Sequence, residues 1–153
     1  MVNNDIVRSV RYMLDISDIK IVEILKMANY DIDIKAIIAF LKKEDEEGYL
    51  PCSDEVLGHF LDGLIILKRG KDKDKPIPPL ELPITNNLVL KKLRVAFALK
   101  EEDLLAILES VNFKISKSEL SALLRKKGHI NYRECGDQLL RNFLKGLTKR
   151  IRL

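Results

Sequence analysis

The sequence predicts an all-α fold: two tandem homologous four-helix units, an internal duplication, joined by a proline-rich linker. Three observations predict it. Residues 3–70 align without a gap on residues 86–153, an offset of 83, with 19 identities over 68 positions. A fixed register over that length marks two copies of one supersecondary unit. Apolar residues recur at helical spacing within each copy, bounded by capping residues. Four of the five prolines, at 76, 78, 79 and 83, fall between the copies. The expected organisation is therefore a first repeat over 1–70, a linker over 71–85 and a second repeat over 86–153.

The first helix of each copy follows Asn3-Asn4 and Asn86-Asn87, residue types that cap helix N-termini by accepting from free backbone donors. Ile6, Val10, Met13 and Leu14, and their twins Val89, Leu93, Ala96 and Phe97, form an apolar stripe at i, i+4, i+7, i+8. The second helix opens at Ser17-Asp18, and in the other copy at Glu101-Glu102-Asp103, acids suited to a positive helix N-terminus. Ile21, Ile24, Leu25 and Ala28, with Leu104, Ile107, Leu108 and Val111, face inward. Asn29 and Asn112 follow; asparagine tolerates a left-handed backbone and stops a helix. The third helix begins at Asp33 in copy one and at the capping box Ser116–Glu119 in copy two, with Ile32 and Ile115 as staples. After a loop of about eight residues, the fourth helix begins near Ser53 and Gly136. It buries Val56, Leu57, Phe60, Leu61 and Leu64, or Leu139, Leu140, Phe143, Leu144 and Leu147. The linker KDKDKPIPPLELPIT resists helix and central strand. Its Ile77, Leu80, Leu82 and Ile84 are apolar, and some of them are expected to rest on a domain surface.

Read together, NNDIVRSVRYMLDISDIKIVEILKMANY, LKKEDEEGYLPCSDE and FLDGLI in the first half, and ISKSELSALLRKKGHINYRECGDQLLRNFLKGL in the second, resemble the YehS-like bacterial proteins of the DUF1456 family. The resemblance covers nearly the whole chain, with both halves in order. It implies a small bacterial protein with a duplicated helical domain and brings no activity with it.

Composition excludes several classes. A third of the residues are charged and nearly half are apolar, as in a globular protein rather than a disordered one. No apolar run is long enough to span a membrane, and no export signal is legible. Two cysteines without such a signal point to free thiols and a cytoplasmic location. The net charge of +4 is divided unevenly. Residues 1–70 hold 9 Lys/Arg against 13 Asp/Glu, a net of −4; residues 86–153 hold 15 against 7, a net of +8; the linker is neutral.

Four constellations merit weighing for chemistry. Cys52 and Cys135 precede a helix N-terminus, where the dipole can lower a thiol pKa, and His59 and His129 lie near them in sequence. The histidines are at different relative positions in the two copies, so the cysteines read as helix-entry packing. Two Cys and two His at these spacings match no zinc pattern. Asp54 and Asp137 occupy the first turn of the fourth helix in both copies, which dipole stabilisation accounts for. The second and third helices suggest a helix-turn-helix, with Lys117, Ser118, Ser121 and Arg125 outward in copy two. Charge inversion is sharpest after the third helix, where KKEDEEGYLPC in copy one becomes RKKGHINYREC in copy two.

The expectation is a non-enzymatic protein whose basic second repeat contacts RNA or DNA backbone. Arg125, Lys126, Lys127, His129, Arg133, Lys149 and Arg150 would neutralise phosphates, and Tyr132 would offer a stacking face. The alternative is a protein–protein adaptor or self-associating module in which the acidic loop Glu44–Glu47 meets the basic loop of another copy. No cofactor, metal, membrane or small-molecule ligand is expected.

Overall fold

The computed structural model describes residues 1–72 and 74–152. Among them are eight helices and no strand: α1 (Asn3–Leu14), α2 (Asp18–Met27), α3 (Ile34–Leu41), α4 (Asp54–Arg69), α5 (Asn86–Ala96), α6 (Glu101–Glu109), α7 (Lys117–Leu124) and α8 (Asp137–Arg152). The chain is thus all-α, four helices per repeat.

Local signals place most boundaries. Ser17 Oγ accepts from Lys20 N–H at 3.1 Å and Asp33 Oδ1 from Lys35 N–H at 2.8 Å. The capping box at α7 is formed in both directions, between Ser116 and Glu119. Asp103 accepts from Lys100 N–H at the start of α6. Asn29 and Asn112 are left-handed, at φ 61° and 60°, as their positions predict. So are Asp15 and Ala98, the ends of α1 and α5, at φ 52° each; alanine is not a residue that announces this conformation.

Two expectations are corrected. The caps of α1 and α5 are Val2 and Thr85, with Thr85 Oγ1 accepting from Leu88 N–H. Asn3-Asn4 and Asn86-Asn87 lie inside the first turn, where tertiary partners claim their side chains. The loops before α4 and α8 are also longer than expected, spanning 42–53 and 125–136, because α3 and α7 stop after about two turns.

The repeats share one core. A single apolar cluster runs from Ile6, Val10 and Met13 through Ile24, Leu57 and Phe60 to Leu93, Ile107, Leu140 and Phe143. Within each repeat the fourth helix lies against the second, and between repeats α1 packs on α8 and α4 on α5. Exchanging the repeats maps this set of contacts onto itself, so an approximate two-fold axis relates them. A unit of about 70 residues buries too little surface alone to be more than marginally stable; pairing across the axis covers its remaining apolar stripe.

Glycines set the closest approach inside each repeat. A Cβ on Gly63 would lie 2.0 Å from the Ile24 carbonyl oxygen, and one on Gly146 2.4 Å from that of Ile107. The shared Phe-Leu-x-Gly-Leu signature therefore records backbone contact between α4 and α2, and between α8 and α6. The linker is anchored as expected. Leu80 and Ile84 lie over Gly58 on α4, whose missing side chain makes room for them.

Candidate nucleic-acid interface

The basic loop 125–136 is held from below by a buried asparagine. Asn87 Nδ2 donates to the carbonyls of Leu123 and Arg133, at 3.0 and 2.8 Å, and its Oδ1 accepts from Cys135 N–H at 2.8 Å. Asn4 does the same for the acidic loop, bonding Phe40 O, Leu50 O and Cys52 N–H. Both amides are buried and commit both donors and the carbonyl oxygen to loop backbone, which keeps a long irregular segment in one shape. Their neighbours Asn3 and Asn86 donate to the carbonyls of Cys52 and Cys135 and to Asp54 and Asp137. The two loops are thus the same scaffold carrying opposite charge.

The seven residues expected to contact nucleic acid fall into two groups. Arg125, Lys126, Lys127, His129 and Arg133 lie on the loop after α7. Lys149 and Arg150 lie three turns along α8, about 20 Å from the start of that helix by its rise. They face α6, where Arg150 pairs with Asp103 at 2.6 Å and Lys149 donates to Ser110 O at 3.3 Å. The Arg150 partnership, after the Lys100 backbone bond, holds the Asp103 carboxyl below its ordinary range. Within the loop, Arg133 pairs with Glu119 at 3.2 Å. Arg125 is half-buried, with its Nη1 3.5 Å from His129 Nε2. Lys126, Lys127 and His129 are exposed, and none of the three takes part in an ion pair among the described residues.

Lys126 and Lys127 line a groove of about 380 Å³ together with Lys91, Tyr132, Leu88, and Glu81, Leu82 and Pro83 from the linker, so one carboxylate shares it with the three lysines. Lys91 escaped the sequence reading. Its Nζ donates to Arg125 O at 2.9 Å and caps the end of α7, as Arg8 caps α3 through Lys42 O. The signal for it was available: a basic residue is kept at the same position in both copies. Burial, then Glu134 and Cys135, pushes the Tyr132 phenol up, so the ring stays neutral at the groove wall.

The other constellations come apart. Cys52 and Cys135 are buried, and each thiol donates to the next carbonyl at 3.6 Å. Burial, then Asp54, pushes Cys52 up to about 12; burial, then Asp137, pushes Cys135 up to about 11. Desolvation overrides the helix dipole that would favour a thiolate. Neither histidine reaches a thiol: His59 stacks on Tyr30 at 4.6 Å between ring centroids, and His129 Nδ1 accepts from Asn131 N–H. Among the described residues no three His, Cys, Asp or Glu side chains converge on a metal position. The connection between α6 and α7 runs over 110–116, longer than the three or four residues of a helix-turn-helix. Among the described residues no helix is long and apolar enough to cross a membrane.

Asp54 and Asp137 do more than complement a helix dipole. Asp54 Oδ2 accepts from Ile84 N–H at the end of the linker at 3.0 Å, and Asp137 Oδ2 from the Met1 amino group of the first repeat at 2.7 Å. Met1 and Ile84 are 83 positions apart, so the two bonds are one interaction repeated across the axis. The Met1 amine, with Asn86, holds the Asp137 carboxyl below its usual range.

No solved structure matches the chain. It is 51% identical over 150 residues to an uncharacterized protein, YehS, of Escherichia coli K12, covering 98% of this chain and 96% of that protein. The family model described as protein of unknown function, DUF1456, matches residues 3–70 and again 86–152. Those two segments are the two repeats seen in sequence and fold, and the chain belongs to the DUF1456 family.

Proposed function

We propose that this protein acts in the cytoplasm without catalysis, binding RNA or DNA backbone through its second repeat. The observation that carries the reading is the groove where Lys126, Lys127 and Lys91 meet Tyr132. Three cations beside an apolar, ring-bearing wall suit a phosphate chain with a base turned inward. Its counterpart across the axis keeps Lys43, Arg8 and Tyr49 but has Glu44 in place of Lys127, followed by the exposed Asp45, Glu46 and Glu47, so charge and not fold distinguishes the two loops. His129, Arg125 and Arg133 extend the positive field. Lys149 and Arg150, already partnered, form a secondary patch.

Each phosphate neutralised adds roughly 0.9 to the salt slope for duplex DNA and roughly 0.7 for a single strand. The double reversal K126E/K127E is expected to lower that slope by about 1.4 to 1.8. It should weaken binding of all sequences alike, read by anisotropy with labelled mixed-sequence RNA and DNA. Lack of binding by the unaltered protein at low salt would overturn the reading. A second reading, self-association of the acidic loop with the basic loop of another copy, is favoured by the exposure of Glu44–Glu47. It predicts sedimentation as a salt-sensitive oligomer.

A further inference from the structure

The two-fold axis relates the α4/α5 groove to one between α1 and α8, and the two are filled differently. On the α4/α5 side an extended chain is already seated: Leu80 and Ile84 of the linker lie over Gly58. Beside them Lys92 pairs with the buried Asp62 at 2.7 Å. On the α1/α8 side the matching positions carry Arg141 for Gly58, Lys145 for Asp62 and Ser9 for Lys92. A groove of about 440 Å³ lies there, lined by these three with Arg8, Tyr12 and Thr148. Arg141 stands where Gly58 leaves room for the linker, so a segment seated here meets a guanidinium in place of a glycine. Where the counterpart has apolar contact and a neutral ion pair, this groove presents cations.

Those cations are available. Arg8 is matched by Asp5 in an ion pair, and the Met1 amine by Asp137. Arg141 and Lys145 are both exposed and enter no ion pair among the described residues. One turn apart on α8, they point to the same side. At the far end Arg152 donates to Tyr12 O at 2.6 Å and lies 4.3 Å from the Tyr12 ring, which braces α1 against α8.

We infer that the α1/α8 groove is a docking site for an extended acidic peptide segment of a partner protein. Shape argues for a peptide, because the symmetry-related groove holds one. Charge argues for acidic side chains, because two of the three substitutions that distinguish this groove place an arginine and a lysine in it, while the third puts Ser9 where the counterpart has Lys92, a lysine already paired with Asp62. Carboxylates spaced along an extended strand would meet Arg141, which can bind bidentately, and then Lys145.

The test uses the full chain and a fluorescein-labelled ten-residue peptide of alternating Glu and Leu, with anisotropy read at low salt. The unaltered protein is expected to bind it, and R141A/K145A to weaken binding about tenfold or more, the equivalent of about 1.4 kcal/mol. K126A/K127A should leave it unchanged, and a Lys-Leu peptide should not bind. Both positions are exposed, so the variants should keep the parent's helical signal. K145D, which restores the residue of the first repeat, should weaken binding on its own. The inference is overturned if the Glu-Leu peptide does not bind, or binds R141A/K145A equally well. It is also overturned if that variant loses a single-stranded oligonucleotide and not the peptide.

Discussion

Replacing Gly63 with alanine tests the central packing claim, because two known effects predict opposite signs. In an exposed helix interior Gly→Ala stabilises by about 1 kcal/mol through backbone entropy. Here the added methyl carbon would sit 2.0 Å from the Ile24 carbonyl oxygen and 2.8 Å from its carbonyl carbon. Close carbon–oxygen contacts in proteins settle at about 3.3 Å or more, so α4 and α2 must separate by roughly 1 Å. Neither obstacle is a flexible side-chain end; both are helix backbone, flanked by Ile21, Leu57, Phe60 and Leu64, which are essentially fully buried. Overpacking of this kind costs about 1–3 kcal/mol, occasionally more, and a backbone obstacle places G63A at the upper end. A net loss of about 2 kcal/mol remains after the helix-propensity gain. That is a fall of roughly 4–8 °C in Tm for a chain of this length. G146A, whose nearest contact is 2.4 Å, should lose less. G58A is the control: its obstacle is the end of the Leu80 side chain, which can rotate away. Urea unfolding followed by helical circular dichroism measures all three. A G63A protein as stable as the parent would show that helix propensity dominates and that α2 and α4 are not in backbone contact.

Two further outcomes follow from the buried polar groups. Asn87→Ala removes three hydrogen bonds and leaves the Leu123 and Arg133 carbonyls and the Cys135 amide unpaired. It should cost about 1–3 kcal/mol and raise hydrogen exchange at Cys135, whereas an unchanged exchange rate there would deny Asn87 its role as the loop anchor. The thiols make stability pH-dependent on the alkaline side. Cys52 and Cys135 have folded-state pKa values raised to about 12 and about 11. Their contribution is therefore complete below about pH 8.5, the unfolded value, and is lost as pH rises through the folded ones. Between pH 8 and 10 the parent should lose on the order of 1 kcal/mol per thiol more than C52A/C135A; parallel pH slopes in urea melts would refute it.

The candidate interface was only partly legible in the chain. Lys127 stands out because it takes the place of Glu44, a charge inversion visible by alignment, whereas Lys126 keeps the charge of Lys43 and stands out only as its neighbour on an exposed loop. Lys149 and Arg150 look equivalent in sequence, yet α8 carries them to α6, where Asp103 and the Ser110 carbonyl engage them. Arg141 drew no notice, since a lone arginine on an amphipathic helix is ordinary. Its meaning depends on Gly58 across the axis and on what Gly58 admits.

By itself the sequence determined the helices, their inward faces, the duplication and the linker. Those rest on short-range physics: i, i+4 spacing, capping within three residues, and proline's missing donor. The tertiary structure alone decided that the asparagine pairs are loop anchors rather than caps. It decided that Asp54 holds the end of the linker and Asp137 the start of the first repeat, that the glycines mark backbone contact, and that the repeats enclose one core. Each of those partnerships spans 30 or more residues. A contact at that separation is set by how two apolar surfaces fit, which no local periodicity encodes.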